Sequence, residues 1–408
     1  MTLLYRLGIF LYDFIIWMIA PYHAKAELLY RGRKDSGERI KQLDILDDKP
    51  IWIHCASLGE FEQGRPVIEG IKKKNPEQCV VLTFYSPSGY EIRKNYELAD
   101  YIFYLPSDRA SSVRAFIEKV NPSVAIFVKY EFWYNYLNQL KKKNIDTYII
   151  SAIFRKNQVF FKWYGGWYRK LLGCFNWLFV QDEKSGALLQ GIGVENFSVD
   201  GDTRFDRVAE IAVNSPEFDV LKDFSEGAQV IVGGSTWPDD EKLLVKYLKE
   251  NSQVKLLLAP HEIHEEHLVN IEEIFSAIGT QRYTQVANGH KLKSRVLIVN
   301  TMGMLSSMYR YGDIAHIGGG FGKGIHNTLE AATFGLPVLF GPNHLKFKEA
   351  LDLIEHKAAF PVESFNDFKK YADDLLFSDK NLANASDNAR SYVQKMCGAT
   401  DEIIKRIL

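Results

Sequence analysis

Two doubly wound α/β domains are what the sequence predicts, and three observations carry the prediction. The chain has 408 residues, more than one ordinary core holds and about right for two domains of roughly 150 to 200 residues each. From Pro50 onward short β-branched runs alternate with helical patterns, the signature of repeated βα units around a parallel sheet. The alternation lapses over residues 201–227, a polar stretch with Pro216 and no sustained period, and then restarts; the inter-domain connection is expected there.

In the first half, strands are expected at residues 51–54, 80–83, 101–104, 124–128, 148–151, 177–180 and 197–199, with helices such as 61–74 and 111–120 between them. Pro76, Pro87-Ser88-Gly89, Pro106, Pro122 and Gly193 punctuate the joins. Second-half strands are expected at 230–233, 255–259, 296–299, 314–317 and 338–340. Sheets of this kind bind ligands at the carboxyl ends of their strands, and two of them are expected to share one cleft.

Composition narrows the function. The 46% hydrophobic and 25% charged fractions are those of a soluble globular chain. A formal net charge of −1 excludes a protein whose main task is coating nucleic acid, so no nucleic-acid partner is expected. Cys55, Cys79, Cys174 and Cys397 lie far apart, with neither a C-x-x-C pair nor a zinc spacing, and read as reduced thiols of a cytoplasmic protein.

The amino terminus is the exception. Residues 3–22 read LLYRLGIFLYDFIIWMIAPY, apolar but interrupted by Arg6 and Asp13. Asp13 within the stretch and Pro21-Tyr22-His23 after it argue against a cleaved export signal. A central charge costs a spanning helix roughly 2.5 to 3.5 kcal/mol, whereas a helix lying in the interface turns its charges to the headgroups. Lys25, Arg31, Arg33 and Lys34 suit an anionic cytoplasmic leaflet. An in-plane anchor is expected, with a true span and a buried core helix as alternatives.

Several segments carry chemistry. Residues 317–330, IGGGFGKGIHNTLE, combine a strand end, a glycine-rich turn and a helix opening, which is how an anion site is built: glycine admits a phosphate close to the backbone, and the first helical turn points free N–H groups at it. Glu330, one turn on, is placed to take ribose hydroxyls. A plain βα turn has the same glycines, and neither G-x-G-x-x-G nor Walker spacing is present.

Strand 51–54 runs through Ala56-Ser57-Leu58-Gly59 into a helix from about Glu60. A first-turn carboxylate is kept ionised by the helix dipole, as a base requires, but an ordinary helix-start Glu looks the same. Lys129 and Glu131 follow strand 124–128 at the carboxyl edge of the same sheet. Arg204 follows strand 197–199 and either offsets phosphate charge on a departing nucleotide or pairs with Asp206. His261, His264 and His267 are three apart and miss the H-E-x-x-H spacing, so no metal site is expected. His261, after Pro260 at a strand end, is placed to contact a phosphate. Residues 160–170, FFKWYGGWYRK, mix aromatic and basic side chains as a membrane interface does, or as a half-buried helix does.

Taken in order, these segments resemble the bacterial 3-deoxy-D-manno-octulosonic acid (Kdo) transferases of lipopolysaccharide synthesis across nearly the whole chain. The motifs are Arg31-Gly32-Arg33-Lys34, Ser57-Leu58-Gly59-Glu60, Ser86-Pro87-Ser88-Gly89, Glu131-Phe132-Trp133-Tyr134-Asn135, Gly201-Asp202-Thr203-Arg204-Phe205-Asp206, Ser235-Thr236, Asn300-Thr301-Met302-Gly303-Met304, His326-Asn327-Thr328-Leu329-Glu330 and Gly341-Pro342-Asn343-His344-Leu345-Lys346-Phe347. Each is short; their order and spacing make the set specific.

The resemblance implies a GT-B architecture of two Rossmann-like domains. Residues 1–34 would be a membrane anchor, 35–208 an acceptor-binding domain and 209–408 a CMP-sugar-binding domain whose last helix packs back on the first. It further implies an inverting transfer from CMP-Kdo to a lipid A precursor of the lipid IVA type, without cofactor or metal. The site would be the cytoplasmic side of the inner membrane, reached as a peripheral or singly anchored protein. Glu60 matches the family's catalytic base and Arg204 a lysine held to stabilise the transition state. Pro260 and His261, Met302, Gly303 and Met304, and Asn327, Thr328, Leu329 and Glu330 match its CMP contacts.

There are departures. The family's Glu-Thr-Glu-Leu-Trp is here Lys129-Tyr130-Glu131-Phe132-Trp133, so one carboxylate has become a cation and its role has lapsed or moved to Glu131. Pro-Arg-His-Pro is Pro260-His261-Glu262-Ile263, replacing a permanent cation by a side chain charged only part of the time. Asn-Ala-Arg-Leu is Ser151-Ala152-Ile153-Phe154, and the paired glycines before His-Asn are Gly324-Ile325. The rival readings are a nucleotide-sugar epimerase, which needs no anchor and acts on the donor alone, and a non-catalytic membrane-surface protein, which would not bind CMP.

Overall fold

The computed structural model describes residues 1–44 and 48–408. It divides into two compact units, Met1–Asp206 with Cys397–Leu408, and Arg207–Met396.

The first unit holds a seven-stranded sheet. Its strands are β1 (Ile51–Cys55), β2 (Val80–Phe84), β3 (Tyr101–Tyr104), β4 (Val124–Val128), β5 (Asp146–Ala152), β6 (Trp177–Val180) and β7 (Phe197–Val199). The spatial order is β3-β2-β1-β4-β5-β6-β7, every neighbouring pair parallel, so the winding reverses between β1 and β4. Helices cover both faces, which is why β1 and β2 are buried along their whole length and read as unbroken apolar runs rather than alternating ones. Trp52, fully buried, meets Phe116, Phe127 and Tyr136 at ring-centroid distances of 4.9, 5.2 and 5.4 Å. The closing helix Ala399–Ile407 belongs to this unit and sends Ile403 and Ile404 into its core.

The second unit repeats the plan with β8 (Gln229–Thr236), β9 (Val254–Pro260), β10 (Thr280–Arg282), β11 (Val296–Ile298), β12 (Ile314–Ile317), β13 (Val338–Phe340) and β14 (Ala359–Pro361). Their order is β10-β11-β9-β8-β12-β13-β14, again all parallel, and the winding reverses between β8 and β12.

All twelve expected strands are present within three residues at either end. The edge strands β10 and β14 were not foreseen, because three residues each, one run polar and the other ending in Pro361, carry no period. Residues 201–227 differ more: instead of an irregular connection they form the helices Thr203–Asn214 and Asp219–Ser225. Phe205 and Val208, each 4% exposed, mark a buried stripe too narrow to stand out among Arg204, Asp206, Arg207 and Glu210.

The first two helices, Thr2–Ile19 and Ala24–Gln42, belong to the first unit, and residue 34 lies inside the second of them. No residue of Thr2–Ile19 is buried. Two of its polar side chains nevertheless turn inward, while Arg6 stays exposed: Asp13 accepts from Arg109 at 2.6 Å and Ser107 at 2.6 Å, and the Tyr5 hydroxyl donates to Asp108 at 2.7 Å. Asp108, 3% exposed, also accepts the backbone N–H groups of Asn135 and Tyr136, both at 3.0 Å, capping the helix Tyr134–Lys142.

Burial pushes the Asp108 carboxyl up to about 6 against the pull of its hydrogen bonds. A raised carboxyl binds its proton more tightly in the folded chain, so its stabilising contribution is complete below about pH 4 and is lost as pH rises through about 6. Urea unfolding between pH 4 and 6 should show that downward slope, and Asp108→Asn should flatten it. An unchanged slope in the variant would assign it to another group.

Candidate active site

In open parallel sheets, ligands bind beyond the carboxyl ends of the strands where the winding reverses. In the first unit that point lies between β1 and β4, and each of these strands leads straight into expected site residues. β1 ends at Cys55, and the helix Leu58–Lys74 begins three residues later, with Glu60 in its first turn. The Ser57 hydroxyl, at the position preceding that helix, donates to the Glu60 carboxylate and aims it. The loop after β2 closes against this turn through Ser86 N–H to the Ala56 carbonyl at 2.7 Å.

β4 leads into Lys129, whose φ of 74° is left-handed. Non-glycine residues in that region cost on the order of 1 to 3 kcal/mol and gather at functional sites. Two residues on, Glu131 is 9% exposed and anchored by a buried relay. Trp52 Nε1 donates to Thr83 Oγ1 at 2.8 Å, which leaves the Thr83 hydroxyl proton for His54 Nδ1 at 2.9 Å. His54 Nε2–H then donates to Glu131 Oε2 at 3.1 Å, and Trp133 Nε1 donates to the same oxygen at 2.5 Å. His54 Nδ1 also lies 3.2 Å from the Thr83 carbonyl oxygen, so the ring is held at both nitrogens.

Tyr130 stands where several charges converge. Burial pushes its hydroxyl up; Glu60 and Asp182 add to the rise, and Arg155 and Arg204 oppose it.

Arg204 corrects an expectation: its partner is Asp202, reached by Nε at 2.9 Å and Nη2 at 2.8 Å, and not Asp206. A helix begins at Thr203, so Asp202 sits at its start, where it also takes Arg204 N–H at 3.0 Å and Gln63 Nε2 at 3.0 Å. Asp206 faces the other way and accepts from Gly398 N–H at 2.5 Å and Thr400 N–H at 2.7 Å, fastening the closing helix.

In the second unit the reversal lies between β8 and β12, and β12 opens into the glycine-rich loop. The loop is longer than expected: residues 318–328 separate β12 from the five-residue helix Leu329–Thr333, so the helix opening does not follow the glycines directly. A buried carboxylate organises it instead. Asp240, 1% exposed, accepts from Gly319 N–H at 3.0 Å, Trp237 N–H at 3.0 Å and His316 Nε2 at 2.9 Å. Burial alone would push the Asp240 carboxyl up, but these donors outweigh it and hold it below the usual carboxylate range.

The glycines serve close packing. A Cβ on Gly318 would stand 2.2 Å from the Ser235 carbonyl oxygen, and one on Gly341 2.5 Å from the Gly320 carbonyl carbon. Gly341→Ala is therefore expected to destabilise the protein by about 1 to 3 kcal/mol through overpacking. Gly322→Ala, whose Cβ meets nothing nearer than 3.6 Å, should change little in the same urea titration.

A ring stack rises beside this loop. Trp237 lies 4.8 Å from His261, and His261 lies 4.4 Å from His326. Trp237 Nε1 donates to His326 Nε2 at 3.1 Å, and burial, then the neighbouring His261, hold His326 below its ordinary value. Pro260 closes β9, and His261 N–H donates to the Thr236 carbonyl at 3.0 Å. Asn327 Nδ2 donates to Glu330 at 2.9 Å while Asn327 Oδ1 accepts from Leu329 N–H at 3.0 Å; Thr328 is fully buried. Of the 302–304 turn, Met302 is 82% exposed, Gly303 has φ 83°, and Met304 is buried beside Thr301.

Among the described residues no group of three or more His, Cys, Asp or Glu is arranged to hold a metal ion. His264 caps the helix Glu265–Ile274, and His267 pairs with Glu241 at 3.1 Å. Trp237, Asp240, His316 and His54 were given no role from sequence, and His326 and Asp202 entered only as members of motifs. Trp237-Pro238-Asp239-Asp240 did carry a signal, Pro at the first helical position and Asp two further on. His54 carried none, since a histidine in an apolar strand names no partner.

Comparison with known proteins agrees with this picture. Residues 30–207 match the family model described as 3-deoxy-D-manno-octulosonic-acid transferase (kdotransferase). The 3-deoxy-D-manno-octulosonic acid transferase of Rickettsia bellii (strain RML369-C) is 26% identical over 370 residues, covering 88% of this chain and 87% of that protein. The enzyme of the same name from Aquifex aeolicus (strain VF5) is 25% identical over 356 residues, covering 81% and 87%. Among solved structures, UDP-GlcNAc 2-epimerase from Neisseria meningitidis superposes with a TM-score of 0.62 at 15% identity, covering 88% of this chain and 99% of that one. Acinetobacter baumannii MurG does so at 0.55 and 11%, covering 88% and 99%. At such identities the two structures speak for a GT-B-like fold alone.

Proposed function

We propose that this chain, whose residues 30–207 belong to the Kdo transferase family, moves Kdo from CMP-Kdo to a lipid A precursor of the lipid IVA type, with inversion at the anomeric carbon. The observation that carries the reading is one loop site in each unit: the winding reversal of the first presents an aimed carboxylate, Glu60, and that of the second a glycine-rich loop organised by Asp240.

In the proposed step Glu60 takes the proton of an acceptor sugar hydroxyl, and that oxygen attacks the anomeric carbon. The bond from this carbon to the CMP phosphate breaks, and the phosphate leaves with the electron pair. A CMP ester brings its own leaving group, so the reading includes no metal or other cofactor. Residues 318–320, His261, the 302–304 turn and residues 327–330 hold CMP, and Arg204 offsets the charge growing on the phosphate. Arg204 keeps its charge beside Asp202, which orients the guanidinium. Lys129 stands in a strained conformation at the site edge and replaces a carboxylate with a cation; we assign it to acceptor phosphate rather than to proton transfer.

The reading places the protein on the cytoplasmic side of the inner membrane. Residues Thr2–Tyr22 are long and apolar enough to cross a membrane. A span, however, would have to withdraw Asp13 from Arg109 and Tyr5 from Asp108, whereas an in-plane helix keeps both and offers Leu3, Leu7, Leu11 and Ile15 to lipid. Trp163 and Tyr164, 91% and 59% exposed, belong to the same segment as Trp167, which donates to Thr2 on this helix at 3.3 Å.

The test is to incubate the purified protein with CMP-Kdo and the tetra-acylated precursor and weigh the product. Mass gain by whole Kdo increments with stoichiometric CMP release is expected. Donor turnover without acceptor would favour an epimerase or hydrolase, and no CMP binding would favour a non-catalytic role.

A further inference from the structure

Beneath the first helix lies an open groove of about 500 Å³. Its walls are apolar: Phe10, Phe14 and Trp17 from the first helix, Ile40 from the second and Phe116 from the helix Ala110–Val120. Its rim is not. Arg33, Lys34, Lys41 and Arg109 line it; Lys41 is paired with Glu38 at 3.0 Å, and Asp13 lies 2.6 Å from Arg109 and 3.6 Å from Arg33. Two guanidinium groups sharing one carboxylate leave surplus positive charge at the mouth of an apolar trough. That combination suits a hydrocarbon chain attached to a phosphate-bearing head.

The groove is joined to the candidate base by contacts within the same unit. The Arg33 guanidinium sits over the Tyr85 ring at 4.6 Å, and Tyr85 stacks on Trp133 at 5.0 Å. Trp133 holds Glu131, while Ser86, the next residue after Tyr85, bonds Ala56 in the turn that carries Glu60. Gly37 supplies a further mark. Glycine destabilises a helix interior, and Gly32 of the same helix has a packing reason, since its Cβ would strike Tyr104 at 2.1 Å. Gly37 has none: its Cβ would meet nothing within 4 Å, because it faces the groove.

We infer that this groove takes one acyl chain of the lipid acceptor, with an acceptor phosphate at the Arg33, Lys34 and Arg109 rim, so that the sugar head reaches the Glu60 turn. The inference rests on the transfer reading above and names the part of the acceptor that this unit grips. A Cβ at residue 37 meets nothing within 4 Å, so a side chain placed there enters the trough.

The experiment compares kcat/KM on the tetra-acylated, phosphorylated glucosamine disaccharide with that on the same phosphorylated disaccharide stripped of acyl chains. Wild type, Gly37→Phe and Gly8→Phe are measured, Gly8 being an exposed helix glycine outside the groove whose Cβ also meets nothing within 4 Å. Gly37→Phe should lower the acylated-to-stripped ratio by about tenfold or more, through KM on the acylated acceptor, and Gly8→Phe should not. An equal fall on both acceptors, or no fall, overturns the inference.

A second arm labels the wild-type chain with a diazirine-tipped acyl analogue of the acceptor. Labelling within residues 10–41 or 106–116, competed by the tetra-acylated acceptor and not by phosphatidylglycerol vesicles at equal lipid, supports the groove. Labelling elsewhere, or equal competition by the vesicles, overturns it. If wild type converts neither acceptor, the transfer reading has failed, and the labelling arm alone judges the groove.

Discussion

Replacing Glu60 by Gln lowers kcat by about 100- to 10,000-fold, the range typical of losing a general base, with CMP affinity unchanged. The substitution keeps size and the capability of bonding Ser57, so the helix start at Leu58 survives, but the amide accepts no proton. Glu60 stands in the unit that does not hold the glycine-rich loop, which is why nucleotide binding is spared. The checking pair is a product-mass assay for turnover and calorimetry for CMP. Glu131→Gln is the informative companion, because Glu131 lies at the same winding reversal and takes donors from His54 and Trp133. If Glu60→Gln stays active while Glu131→Gln is dead, the base is Glu131.

Asp240→Ala strikes the other unit and should cost about 3 to 5 kcal/mol of stability, because three buried donors lose their common acceptor at once. Three donors, His316 Nε2 and the N–H groups of Gly319 and Trp237, lose their acceptor at a site 1% exposed. The glycine-rich loop loses its anchor at the same stroke, so CMP binding should disappear with the stability. Urea unfolding of Asp240→Ala and Asp240→Asn measures the first effect, and the Asn variant, which still accepts through one oxygen, should fall between Ala and wild type. A loss below about 1 kcal/mol would mean that the cluster is dispensable. The sign with pH is also set: a depressed carboxyl contributes stability that is whole above its unfolded value, near 3.8, and is lost as pH falls below that. Asp240 and Asp108 therefore bend the stability curve in opposite directions, Asp240 at the acid end and Asp108 between about pH 4 and 6.

Much of this architecture was readable residue by residue. Parallel strands covered on both faces are continuous apolar runs, and runs such as 101–104, 124–128, 177–180 and 314–317 have the bounds read from sequence. The site's loops were readable for the same reason: in a doubly wound unit whatever follows a strand lies at the ligand edge, so Glu60, Glu131, His261 and Asn327 could be placed from their distance to a strand end. The helix Thr203–Asn214 was hidden because its buried stripe is thin and its outer face crowded with charge.

By itself, then, the sequence determined the two α/β units, the order of their strands along the chain, and which loops emerge at each carboxyl edge, because those depend on local periodicity and chain direction. Only the tertiary structure decided partners. It gave Arg204 to Asp202 and left Asp206 to the closing helix. It brought Asp240 to the glycine loop across 79 positions and His54 to Glu131 across 77. It also turned Asp13 inward on a mostly apolar helix and opened a cationic-rimmed groove behind it. Crossover connections set which strands become neighbours, and side-chain direction sets which groups meet across them; neither quantity is local, so no window of sequence contains it.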